Sequence, residues 1–319
     1  MAVCACLLLA LAVWQRVEPP PAVKADPSSL SSATQKSPRR ANETYGPAIK
    51  LADLKDTAIK ESSGLAASRS TPGVFWTHND SGDGPFLYAF DEQGRTRGVW
   101  RVAGATARDW EDMAAGPGPE RNRHYLYIGD IGDNSEKRSE IIVYRIPEPV
   151  VTPADAEASK NNARLTEPAE SIRLNYPDGK HDAEALLVHP TTGDLYVITK
   201  ALFATASIYK AAAPLNTERV TTLVRLGDLK VPGLIGGVIT GGDISPNGRR
   251  VALCDYMQGY EIVLPAAHAS FDTIWKQPLR TVALGSRRQG EAIAYRLDGK
   301  ALLATSEGLP TPLIQVVRR

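Results

Sequence analysis

From residue 61 to the C-terminus, short apolar runs alternate with polar turns, and no stretch between them shows helical spacing. The runs fall into a repeated unit. A polar or acidic residue, then a small or acidic one, opens each unit: Ser63-Gly64-Leu65-Ala66, Glu111-Asp112-Met113-Ala114, Glu184-Ala185-Leu186-Leu187, Gly242-Asp243-Ile244-Ser245 and Glu291-Ala292-Ile293-Ala294. Successive openings lie 48, 73, 58 and 49 positions apart. A helix-free period of about 50 residues is that of a β-propeller blade.

The interior of a unit supports this. After Leu186 come a turn at 192–194 and strands at 195–198, 207–209 and 221–224, which gives four strands. Residues 74–77, 125–128, 250–253 and 301–304 are the matching second strands, with turns at Pro246-Asn247-Gly248 and Asp298-Gly299. The last unit has only 28 residues after Glu291, room for about three strands. A strand at 48–52, ahead of the first unit, is predicted to supply the missing outer one and close the ring. The expected fold is therefore all-β, a five-bladed propeller over 47–319. Six blades are the alternative, with the extra one in the long second unit, although 151–170 reads as a surface excursion.

Composition fits an exported globular domain. Apolar residues make up 43% and charged residues 23%, enough for a core. Residues 2–14 are apolar but too short to span a bilayer, so 1–25 reads as a signal peptide or short anchor. Residues 26–46, rich in Ser, Pro and charge, read as a disordered linker. Cys4 and Cys6 fall in the leader, which leaves Cys254 alone in an apolar run and permits no intrachain disulfide. The net charge is +1, and without Arg16, Lys24 and Glu18 of the leader the charges balance. Nucleic acid is not an expected partner. A monomer is expected, with an unknown small molecule, sugar or protein as ligand.

In a blade, the start of the first strand and the end of the second share one face. That face collects Ser63, Asp109, Glu111, Asp112, Asp182, Glu184, Asp243 and Glu291 from the starts. From the ends it collects His78, Asn79, Asp80, Asp130, Asp133, Lys200, Asp255, Tyr256 and Glu307. Lys200 is the one permanent cation among them. So many carboxylates repel one another unless protonated or neutralised by cations. Calcium suits an all-oxygen set, whereas zinc would call for His or Cys. The expected ligands of one calcium on the channel axis are Glu111, Glu184, Glu291, Ser63 and the carbonyl of Gly242.

Serine, two glutamates, a small residue and glutamate, each opening an inner strand, resemble the calcium-activated nucleotidases (apyrases). That resemblance implies a five-bladed propeller with calcium in its central tunnel. Gly242 departs from it, standing where that family has serine, and the nucleotide-contacting residues are not matched, so nucleotide hydrolysis is not implied. The strings His78-Asn79-Asp80-Ser81-Gly82, Asp109-Trp110-Glu111-Asp112, Gly129-Asp130-Ile131-Gly132-Asp133-Asn134 and His181-Asp182-Ala183-Glu184 resemble a group of exported bacterial propellers with phytase-like or esterase-like labels. This second resemblance implies phosphoester chemistry.

Two functions follow. A non-catalytic binding module is slightly favoured, because few basic residues reach the mouth. A calcium-dependent phosphoester hydrolase is the alternative, with Asp112 or Asp130 as base and Lys200 and His78 as contacts for an anionic substrate. No Gly-x-Ser-x-Gly, phosphate loop or His-Glu-x-x-His occurs.

Overall fold

A computed structural model describes residues 45–232, 236–266 and 269–319. The leader expectation and residues 26–44 of the expected linker lie outside the described residues, whereas Tyr45 and Gly46, read as the linker's end, already belong to a strand, Tyr45–Asp53. Five antiparallel sheets follow one another along the chain, each counted from its inner strand. Blade I comprises Ser62–Ala67, Val74–Asn79, Phe86–Asp91 and Thr96–Ala103. Blade II comprises Trp110–Pro117, His124–Asp130, Ile141–Pro147 and Glu170–Asn175, and blade III Ala183–Val188, Leu195–Thr199, Ala206–Ala211 and Val224–Leu229. Blade IV comprises Gly241–Ile244, Arg250–Cys254, Gly259–Val263 and Arg280–Val282. Blade V takes Gly290–Tyr295, Ala301–Ser306 and Pro312–Arg318 from the end of the chain, and Tyr45–Asp53 from its start.

Tyr45–Asp53 runs antiparallel to Pro312–Arg318, with Tyr45 opposite Arg318 and Lys50 opposite Ile314. The ring is thus closed by the orphan strand, and the count is five blades, not six. The long second unit contains the excursion instead. Its 3-10 turns Pro153–Glu157 and Lys160–Asn162 lead to Arg164–Pro168, which adds a fifth, parallel strand outside blade I.

One placement differs from the sequence reading. Thr221–Thr222 does not begin the outer strand of blade III but pairs with the edge of blade II, Leu174 opposite Thr221. The outer strand starts three residues later, at Val224.

Blades stack face to face, so the inner and second strands are buried on both faces and read as continuous apolar runs rather than alternating ones. The core accordingly divides into five apolar clusters, one per interface between neighbouring blades. The cluster of Leu65, Phe75, Ala292 and Leu303 joins blade V to blade I and completes the circle. Among the described residues no helix is long and apolar enough to cross a membrane.

Candidate metal centre at the mouth of the channel

The second residue of the five inner strands is, in order, Ser63, Glu111, Glu184, Gly242 and Glu291. In four blades the pairing register slips at that residue. Ser62 faces Asn79 and Gly64 faces His78, so Ser63 has no opposite number. Glu111 is likewise skipped between Trp110 and Asp112, Glu184 between Ala183 and Ala185, and the slip in blade V spans Glu291 and Ala292. An extra residue of this kind bends the strand and re-aims its side chain. Blade IV has no slip, since Gly241 faces Cys254 and Gly242 faces Leu253, and it has no side chain to aim.

The bulged glutamates meet further carboxylates from the loops. Oxygens of Glu111, Asp182 and Glu184 lie within 4.8 Å of one another, as do those of Asp80, Asp109 and Glu111. Glu111 belongs to both groups and is only 5% exposed. Among the described residues nothing donates a hydrogen bond to its carboxylate. A Cβ on Gly132 would collide with the carboxylates of Glu111 and Asp109, so glycine leaves room for both. Asp182 accepts from the Asp133 amide at 2.7 Å. Glu184 is paired with the Lys200 ammonium, which lies 5.7 Å from the centre of the Tyr256 ring. Glu291 stands outside both groups and accepts from Gln289 Nε2 at 2.8 Å. The Ser63 hydroxyl donates to the Glu111 carbonyl, and the Gly242 amide donates to Asp112.

Electrostatics follow from this crowding. Burial, then the charges of Glu184, Asp80, Asp109 and Asp182, hold Glu111 well above the usual carboxylate range. Burial pushes Glu184 up to about 8 despite the pull of Lys200, with Asp182 adding to the rise. Burial, Glu184 and Glu307 raise Glu291. Burial and the Asp80 and Asp182 charges bring Asp109 to about 6, and burial with Asp80 and Glu61 brings Glu307 to about 7. Burial opposes the charge on Lys200, but Glu184 and Tyr256 outweigh it and hold the ammonium protonated.

The other sequence candidates are engaged elsewhere. Asp112 is fully buried, its Oδ2 accepting from the amides of Leu186 and Gly242 at 3.0 Å each and its Oδ1 from Met113 at 2.8 Å. Asp130 forms a buried ion pair with Arg138 at 2.7 Å and accepts from the amides of Arg108 and Asp109. His78 is buried edge-on to Trp110, its Nδ1 at 2.9 Å from the Asn79 carbonyl, and burial lowers it to about 4.

Sequence reasoning missed Gly132, Arg138 and Arg287. Arg138 follows Lys137 in what reads as a solvated loop, and only the fold turns it inward to Asp130 and to the Gly132 carbonyl at 2.8 Å. The Arg287 guanidinium packs on Gly290 and donates to the Asp255 carbonyl at 3.1 Å.

The donor set is made of hard oxygens, with no imidazole or thiolate in either group. It fits a hard divalent cation in chemistry and in charge. No family model matches the chain. No curated protein matches it either. Among solved structures it is similar to a gluconolactonase from Xanthomonas campestris, described as important in glucose secondary metabolic pathways. The TM-score is 0.43 at 13% identity, over 85% of this chain and 89% of that one.

Proposed function

We propose that the protein is a cation-binding propeller, calcium being the ion its oxygens favour, and that the bound ion presents open positions to a small oxygen-rich ligand at the mouth. The observation that carries this is Glu111: a buried carboxylate, without a hydrogen-bond donor among the described residues, shared by two groups of carboxylates. A charge so placed is tolerated only if it is protonated or met by a cation. In this reading Glu111, Glu184 and Asp182 hold the ion, with Asp80 and Asp109 at its open side. Lys200 fixes the orientation of Glu184. Ser63, Gly242 and Glu291, the remaining expected ligands, belong to neither carboxylate group. Export is part of the proposal, because loosely built calcium sites suit the higher calcium outside the cytoplasm.

Calorimetric titration of the metal-stripped protein with calcium tests it. One saturable site is expected, weakened more than about tenfold by Glu111→Gln, since even outer-shell changes cost that much. Absence of both binding heat and a shift in melting temperature would remove the reading.

A second reading, hydrolysis of phosphoesters, is favoured by Asp109. This carboxylate is partly exposed and sits beside Asp80 and Glu111, at the open side of the proposed ion, where a general base meets water. A bound divalent ion supplies positive charge to a phosphoryl oxygen. With Asp112, Asp130 and His78 tied into the fold, proton handling falls to Asp109, while Asp80 shares its side of the mouth. A panel of phosphoesters, assayed with calcium and with chelator, decides between binding and turnover. Turnover lost in Asp109→Asn supports catalysis, and a flat panel leaves a binding module.

A further inference from the structure

The rim of the mouth is unevenly built. The loops after the second strands of blades I and II are polar, with Ser81-Gly82-Asp83 and Asn134-Ser135-Glu136. The corresponding loops of blades III, IV and V present large apolar side chains to solvent. Leu202 is 62% exposed, Phe203 79%, Met257 74% and Leu309 45%. These are attached to the site itself. Leu202 and Phe203 follow Lys200 closely in the chain, and Met257 follows Tyr256, over whose ring the Lys200 ammonium lies.

Phe203 is held outward by construction. Its φ is +58°, a left-handed conformation that bulky residues avoid. A two-residue ladder between Ala201–Leu202 and Gly236–Gly237 fixes the base of this tongue. A Cβ on either glycine would strike the backbone around Ala204 and Ala206, so the glycines let the two segments approach. Exposed apolar side chains on the rim loops of three successive blades, beside a polar centre, offer a contact surface.

We infer that the ligand of the mouth is a small anionic amphiphile of the alkyl phosphate type, its charged end at the cation and its apolar body laid over blades III to V. This rests on the cation reading above. A bilayer is a poorer occupant. Laying the whole face on one would press the acidic loops of blades I and II against lipid head groups, whereas a single chain needs only the apolar half of the rim.

The test compares hexyl phosphate with methyl phosphate, titrated below aggregation into the calcium-loaded protein. Hexyl phosphate is expected to bind at least about tenfold tighter, which burial of about two methylenes supplies. The double variant Phe203→Ser, Met257→Ser, at exposed positions that leave folding intact, should bring the ratio near one and leave methyl phosphate affinity unchanged. A ratio near one in the original protein, a ratio the variant does not alter, or no binding of either phosphate overturns the inference. Co-sedimentation with phosphatidylglycerol vesicles without a hexyl preference also overturns it. A calcium titration run alongside separates the two claims. Calcium binding without chain-length preference removes the amphiphile alone. Absent calcium binding removes the cation reading and the amphiphile with it.

Discussion

Glu111 and Asp112 are neighbours in the chain, and both carboxylates are buried. Their surroundings differ completely. Asp112, one residue deeper in the channel, receives three backbone amides from blades II, III and IV. Asp243 plays a similar part on the other side, accepting from the amides of Ile244 and Tyr295 and so joining blade IV to blade V. Glu111 sits on the bulge at the mouth, receives no donor among the described residues, and faces other carboxylates. Burial of an acid is therefore not by itself a sign of function. The floor acids are satisfied by the scaffold and act as staples between blades. The mouth acids are left for something the chain does not provide.

The sharpest way to break this comparison is Asp112→Ala. Three buried amides lose their acceptor, which is expected to cost about 3 kcal/mol or more and about 6 °C or more of melting temperature. The loss should be the same in calcium and in chelator, and a loss confined to calcium would move Asp112 from the floor to the metal site.

Next in size is the pH dependence of the melt in chelator. Folding raises Asp109 to about 6, Glu307 to about 7 and Glu184 to about 8. The folded state therefore keeps protons that the unfolded chain has already lost above its ordinary carboxyl values near 4. Stability is full at acid pH and declines as pH rises from about 4.5 to about 8, because the native state binds more protons in that window. Calcium competes for the same carboxylates, so the gain in melting temperature on adding it should grow from pH 5.5 to pH 8. Asp243, raised to about 7 chiefly by burial, leaves a residual slope that calcium does not touch. A chelator melt that climbs with pH would contradict the assignment.

The smallest effect is expected from Gly132→Ala. The new methyl displaces the ends of the Glu111 and Asp109 side chains, which are flexible, so the chelator melt should change by less than about 1 kcal/mol. Calcium affinity should fall by about tenfold, read by titration. An equal loss of stability with and without calcium would show that the glycine serves only the fold.

The blades were legible in the sequence because each repeats the same apolar inner strand, whose burial on both faces leaves a continuous signature. The second-position residues were legible for the same reason, since Glu111, Glu184 and Glu291 recur at one offset. What was not legible is long-range. Thr221–Thr222 joins a neighbouring blade, and that pairing depends on Leu174, far away in the chain. The bulges that turn the glutamates inward exist only against their partner strands. Arg138 is a surface residue by its local context and becomes the buried partner of Asp130 only when the 131–140 loop folds back. His78 and Asp130 sit at strand ends that face the mouth, and only three-dimensional packing reveals that Asp130 is taken by Arg138 and that His78 is sealed in the core against Trp110.

The clasp between Tyr45–Asp53 and Pro312–Arg318 has a consequence for how the molecule is made. Its first half is among the earliest parts of the domain to leave the ribosome, and its second half is the last. Until translation of that final segment ends, blade V lacks a strand between its hairpin and the waiting N-terminal one, and the circle stays open. Assembly of the ring is thus a checkpoint on synthesis of the whole domain: a chain terminated before Pro312–Arg318 leaves Tyr45–Asp53 an unmatched edge, open to capture by other chains and by proteases.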